Sequence, residues 1–230
     1  ITPQTVVGLS VVMMIFTGLG STLTNIKTKT VDFRSGLIFF AGSAPGTLFG
    51  AFVNKGLDLP SFNLYFGILL ILLSILLLVR NYLKPVSWFV KRGKTRDFTD
   101  NHGKSYTYGY PVWFALLLTF GVGFASGLFG IGGGSIIVPA MILLFLFPPH
   151  VAVGTSMFMV FLSAIVNSIT HISLGNVPWL YTIPVIPAAY IGAKLWARLN
   201  QKMKSETLVF ALRIILLLLG IRSIVDGIWG

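Results

Sequence analysis

The sequence predicts an all-α integral membrane protein: a multi-pass helical bundle of two inverted-topology repeats with discontinuous helices, truncated at its N-terminus. Three observations predict it. The 230 residues are 55% hydrophobic and only 10% charged, where a soluble domain carries about 25% charged residues. Two segments of the chain resemble each other at a fixed offset, with basic loops at opposite ends. A dense glycine cluster interrupts an apolar region, as the broken helices of transporters do.

The apolar runs Ser35–Val53, Phe62–Val79, Tyr110–Leu128 and Val151–Thr170 have the length of helical membrane spans. No alternating pattern of an outer-membrane barrel is present. There is no cysteine, so disulfides, thiolate metal sites and cysteine nucleophiles are excluded. The net charge is +11, but its basic residues cluster between spans. That placement is a topology signal rather than a nucleic-acid footprint, so nucleic acid is not an expected partner and the lipid bilayer is.

Pro3–Ala51 aligns with Pro149–Ala197 without a gap, and ten of 49 positions are identical, including Pro3/Pro149, Gly8/Gly154, Ser10/Ser156 and Thr24/Thr170. This reads as an internal repeat. In the first copy the span Val6–Ile26 is followed by Lys27, Lys29 and Arg34, and the matching loop of the second copy has no charge. One span later the pattern reverses, with Arg198, Lys202 and Lys204 in the second copy. If basic loops are cytoplasmic, the copies cross the membrane in opposite directions. The chain then divides into a first repeat at 1–82, a basic cytoplasmic linker at 83–110 and a second repeat at 111–230. The repeat also predicts about thirty further residues ahead of Ile1, with a second glycine-rich break.

The break in the second repeat is "GLFGIGGGSIIVP", residues 127–139. Ile136–Phe147, after it, is about 18 Å of helix, too short to span alone. The two segments form either a re-entrant hairpin or two crossing half-helices. A helix starting near Ser135, with Ser135 as N-cap and Pro139 in or near its first turn, would aim unpaired N–H groups at the break. Gly130, Gly132, Gly133, Gly134 and Ser135 are therefore the candidate site for a small anion, held by amide donors and the positive end of a helix dipole. Such a site requires a cavity that reaches the break. The competing reading is a tight turn between packed helices. The stretch is neither a dinucleotide fingerprint nor a P-loop, and no cofactor is expected.

Thr155 and Ser156, in "VGTSMF", and Ser10, the repeat equivalent of Ser156, are candidate hydroxyl donors to the same anion. Back-bonding to their own helices is the alternative. Asn167 and His171, one turn apart, would line the outer end of a path or simply reach water at the interface, and Asn25, the repeat equivalent of His171, is a further candidate. The carboxylates Asp32, Asp58, Asp97, Asp100 and Glu206 fall in loops, and Asp226 makes an i,i+4 pair with Arg222. With no carboxylate inside a span, an anionic substrate is expected and a proton or metal pump is not. Gly42, Gly46 and Gly50, with Gly123 and Gly127, form stripes for close helix packing.

"ASGLFGIGGGSIIVPAMILLF", "VAVGTSMF", "HISLGNVPW" and "IGAKLWARL" resemble the sulfite exporter TauE/SafE family. The resemblance is strong over Gly121–Arg198 and weaker over Thr2–Val53. It implies a multi-pass permease of the bacterial cytoplasmic membrane that moves small sulfur-containing anions such as sulfite or organosulfonates. The family motif falls on Gly130, Gly132, Gly133, Gly134, Pro139, Gly154, Thr155 and Ser156. The expected function is thus a secondary anion transporter and not an enzyme. The rivals are a transporter of cations, metals or neutral solutes, and a membrane protein that docks a partner through its linker. Nothing in the sequence sets the oligomeric state.

Overall fold

The computed structural model describes residues 2–79, 93–99, 105–200 and 205–229. Among them are eight helices and one hairpin: α1 (Pro3–Lys27), α2 (Phe33–Lys55), α3 (Leu59–Val79), β1 (Lys94–Thr99), β2 (Ser105–Tyr110), α4 (Val112–Phe129), α5 (Gly134–Leu144), α6 (Pro149–Ser173), α7 (Trp179–Asn200) and α8 (Ser205–Trp229). The chain is an all-α membrane protein with one small β element. Helices α1, α2, α4 and α6, and Leu59–Leu76 of α3, are long and apolar enough to cross a bilayer.

Local chemistry fixes the helix ends. Thr2 caps α1, accepting from Thr5 N–H with Pro3 at the first turn, where its missing donor costs nothing. Asp32 caps α2 and accepts from the N–H groups of Arg34 and Ser35. The helices of the two aligned segments start at matching places. Pro3 and Pro149, Phe33 and Trp179, and Leu59 and Ser205 are each separated by 146 positions. Helix α1 packs on its counterpart α6 and α3 on its counterpart α8, while α1 touches α7 as α2 touches α6.

The tightest helix pair is α2 with α4, and the glycine stripes create it. A methyl group added at Gly42 would sit 2.6 Å from Leu116 O. Methyls at Gly46 and Gly50 would strike Phe120 O and Phe124 O, and methyls at Gly123 and Gly127 would strike Ser43 O and Thr47 O. Each helix lays its glycines on the other's carbonyls, an approach only small residues permit.

Part of the basic linker is structured. Residues 93–99 and 105–110 form an antiparallel hairpin with Lys94 opposite Tyr110 and Thr99 opposite Ser105. Residues 83–92 and 100–104 lie outside the described residues. The span expected from Tyr110 starts instead at Val112, because Tyr110 ends β2 and Pro111 is the N-cap. Tyr108, Tyr110, Phe39, Phe145 and Phe147 form the buried aromatic core beneath the hairpin. The Tyr108 and Phe147 ring centres are 3.9 Å apart.

Candidate functional site

Helix α4 stops at Gly130, which turns left-handed (φ 68°) and donates its N–H to Ser126 O at 2.8 Å. Gly132 is left-handed as well (φ 66°), a conformation that penalises any Cβ. Gly133 is the N-cap of α5, and Ile136 N–H and Ile137 N–H close onto its carbonyl at 3.3 and 3.0 Å. Two left-handed glycines thus reverse the chain in four residues. After 11 residues α5 ends at Phe145, whose carbonyl accepts Gly109 N–H at 3.2 Å. The start of α4 and the end of α5 meet the same hairpin, so the pair is a re-entrant unit.

This geometry corrects two expectations about the cap. Helix α5 begins at Gly134 with Gly133 as N-cap, which places Ser135 inside the helix. Pro139 lies in the second turn rather than the first. The glycines are chain-reversing, so the helix starts as soon as the left-handed pair has been passed. The Ser135 side chain lies outside the described residues.

Gly130, Gly132, Gly133 and Gly134 are all buried. Gly130 lies against Val7 and Ser10, Gly132 against Met14 near the midpoint of α1, Gly133 against Val122, and Gly134 against Met157 and Val160. Among the described residues, the N–H groups of Gly132, Gly133 and Gly134 find no acceptor. None of the three described cavities includes a residue of the break. One of about 280 Å³ lies between the hairpin and α2, lined by Arg34, Ile38, Thr95, Arg96, Asp97, Tyr110 and Val112. The others lie beside α3 and α8 and beneath Phe33 and Phe98. The expected access to the break is thus not among the described cavities.

The other candidates do not gather at the break. Ser10 is beside Gly130, but its hydroxyl donates to Val6 O at 2.9 Å. Ser156 is fully buried and back-bonds to Val153 O at 2.9 Å. Thr155 Oγ1 accepts Asp32 N–H at 3.0 Å, which ties α6 to the α1–α2 turn. Asn25 serves the same turn: its Oδ1 accepts from Thr30 Oγ1 at 3.1 Å and its Nδ2 donates to Ser21 O. Asn25 is 15 residues from Ser10 on one helix, about 22 Å away. Asn167 and His171 do not reach water, being 1% and 0% exposed. They lie on the carbonyl end of α4: Asn167 Nδ2 donates to Ser126 O at 3.3 Å, and His171 Nε2 lies 3.4 Å from Gly127 O.

A second polar cluster escaped the sequence reading. Asp32, read as a loop carboxylate, is 8% exposed. Tyr108 OH donates to its Oδ2 at 2.8 Å, Arg96 Nη1 lies 3.2 Å from the same oxygen, and Ser35 Oγ donates there as well. Tyr110 OH donates to Ser35 Oγ at 2.7 Å. Burial and the Asp32 carboxylate push the Tyr108 phenol far above the usual tyrosine range, and burial raises Tyr110 too. The signal was in "TRDFT" and "SYTYGY", two alternating runs separated in the sequence by a stretch that contains Asn-His-Gly.

The comparisons follow this architecture. The family model for sulfite exporter TauE/SafE matches residues 1–223. A probable membrane transporter protein of Bacillus subtilis, YunE, is 49% identical over all of this chain and 84% of its own length. A second from that organism, YdhB, is 26% identical over 91% of this chain and 80% of its own. Sulfite exporter TauE/SafE family protein 6 of Arabidopsis thaliana is 40% identical over 30% of this chain and 17% of its own. No solved structure matches. By fold, motif and match over nearly its whole length, the chain belongs to the sulfite exporter TauE/SafE family of membrane transporters.

Proposed function

We propose that this membrane transporter moves small anions, with sulfite or organosulfonate-type sulfur anions as substrate, and that it holds the anion at the start of α5. One observation carries the reading: the buried, unpartnered N–H groups of Gly132, Gly133 and Gly134. Each buried amide without an acceptor costs about 1–3 kcal/mol. Met14, Val122, Met157 and Val160 lie against these glycines, with Val122 O 3.5 Å from where a Gly133 Cβ would sit. A pyramidal sulfite or a sulfonate has several acceptor oxygens and gains from the positive end of the α5 dipole, so no cationic side chain is needed. The family description and the printed name of the Arabidopsis relative supply the sulfur-oxyanion class.

The reading requires the break to open to each side of the membrane in turn. In this reading the two repeats run oppositely through a bacterial cytoplasmic membrane and rock against each other, opening the break to one side at a time. The end bearing Lys27, Lys29, Arg34 and the hairpin faces the cytoplasm. The protein acts as a permease without catalytic chemistry, and its partners are the solute and the bilayer.

The test is flux of radiolabelled sulfite in proteoliposomes. Wild type should show saturable flux, and Gly133→Leu, whose side chain would drive into Val122, should abolish it without loss of membrane insertion. Gly121→Ala, with nothing within 4 Å of the added methyl, should keep it. Unchanged flux in Gly133→Leu would remove the site. No wild-type flux across a panel of small oxyanions would remove the substrate class.

A further inference from the structure

The far side of the break presents carbonyl oxygens, and one of them, Ser126 O, also accepts the Gly130 N–H at 2.8 Å. Ser126, Gly127 and Leu128 are consecutive at the end of α4, and each carbonyl meets a side-chain nitrogen. Asn167 Nδ2 approaches Ser126 O at 3.3 Å, His171 Nε2 approaches Gly127 O at 3.4 Å, and Asn54 Nδ2 approaches Leu128 O at 2.8 Å. Asn54 and His171 are 0% exposed and Asn167 is 1% exposed. Asn176 Nδ2 lies 3.1 Å from His171 Nδ1. With a donor on that side, the hydrogen-bond network assigns the ring proton to Nε2 and leaves the imidazole neutral.

Two atoms of this cluster have no partner: Asn54 Oδ1 and Asn167 Oδ1. Both are acceptors, both are buried, and both belong to amides seated on the negative end of a helix dipole. That combination attracts a positive charge. Among the described residues, no carboxylate hydrogen-bonds to the cluster, which disfavours the divalent cations that rely on them. Both His171 nitrogens are already engaged, which disfavours proton uptake there. Carbonyl and amide oxygens at a broken helix's C-terminal end suit a monovalent hard cation.

We propose that the C-terminal end of α4 is a Na⁺ site, with the Ser126 carbonyl and Asn167 Oδ1 as ligands. Rotation of the Asn167 amide exchanges Nδ2 for Oδ1, and the cation replaces the N–H···O link as the bridge between the two oxygens. Asn54 presents the same chemistry at Leu128 O on the α2 side. The negative end of α4 and the positive end of α5 converge on the same four glycines. A cation at one end therefore favours an anion at the other, and this coupling clause rests on the anion reading above. The site itself does not.

The experiment is ²²Na⁺ binding to the purified full chain in detergent, with choline holding ionic strength constant. Saturable binding displaced by NaCl and not by KCl is expected. Asn167→Leu should weaken it at least tenfold. Asn167→Asp should retain it, because the carboxylate keeps an oxygen ligand although it cannot donate to Ser126 O. A residue that only caps α4 predicts no difference in Na⁺ binding between these variants. Absent saturable binding in wild type, or unaltered binding in Asn167→Leu, overturns the site. Sulfite flux driven by a pH gradient alone and indifferent to Na⁺ overturns the coupling and leaves the transport reading standing. Intact ²²Na⁺ binding without sulfite flux supports the cation site and removes the sulfite reading.

Discussion

Arg96 Nη1 lies 3.2 Å from Asp32 Oδ2, joining a hairpin in the linker to the cap of a membrane helix 64 residues earlier. The carboxylate also takes Tyr108 OH, Ser35 Oγ and the N–H groups of Arg34 and Ser35. The two partners are unequal. Arg96 is a quarter exposed, so Arg96→Gln should cost about 1 kcal/mol. Asp32→Ala strands several buried donors at once and should cost about 3 kcal/mol. Thermal unfolding in detergent reads both, and trypsin should cleave the hairpin faster in Asp32→Ala. Equal, small losses would show that the cluster does not hold the hairpin.

Tyr108 sets a pH dependence. Burial first, then the hydrogen bond to Asp32, hold its phenol protonated well past the ordinary tyrosine pKa of about 10. The folded-state pKa is above the unfolded one. Its stabilising contribution is therefore complete below about pH 10 and shrinks as pH rises beyond that. Melting temperature should fall with alkaline pH in wild type and less steeply in Tyr108→Phe. Tyrosinate absorbance at 295 nm should match between the two until unfolding.

The α2–α4 contact predicts opposite outcomes for two glycines in apolar helices. Gly46→Ala drives a methyl into Phe120 O and should destabilise by about 1–3 kcal/mol. Gly121→Ala meets nothing within 4 Å and should stabilise by up to about 1 kcal/mol through helix propensity. Parallel melts of the two variants check this. Similar shifts of one sign would mean that backbone contact does not set the helix spacing.

Gly132→Ala joins two penalties, a left-handed backbone (φ 66°) and a methyl 2.9 Å from Met14 Sδ. Gly134→Ala has only ordinary contacts, 3.4 Å to Met157 Cε. Sulfite flux should be lost in Gly132→Ala at expression levels where Gly134→Ala still transports. Equal flux would mean that the chain reversal tolerates a side chain.

The membrane class, the glycine stripes and the break were legible because each follows from composition or spacing along one segment. Gly46 and Gly123 announced close packing, and the structure supplies the carbonyls they rest on. The position of each candidate polar group was not legible. Thr155 read as an anion ligand because it sits near Gly154 in a motif, yet its partner is Asp32, 123 residues away. Asn167 read as an outer-interface residue because depth along a helix says little about what covers it. Ser135 read as an N-cap because residue type favoured it, but after the left-handed Gly132 the cap falls on Gly133, two residues earlier. The hairpin is hard to see in the linker because its basic residues dominate the alternation of "SYTYGY".

The central claim is that the amides of Gly132, Gly133 and Gly134 bind the transported anion. Glycine-selective ¹⁵N labelling and an NMR titration with sulfite test it directly, with chloride as the control. Saturable downfield shifts of these three amides, absent for Gly121 and matching the concentration dependence of flux, are the predicted result. Saturable sulfite flux with all three amides unmoved would contradict the account.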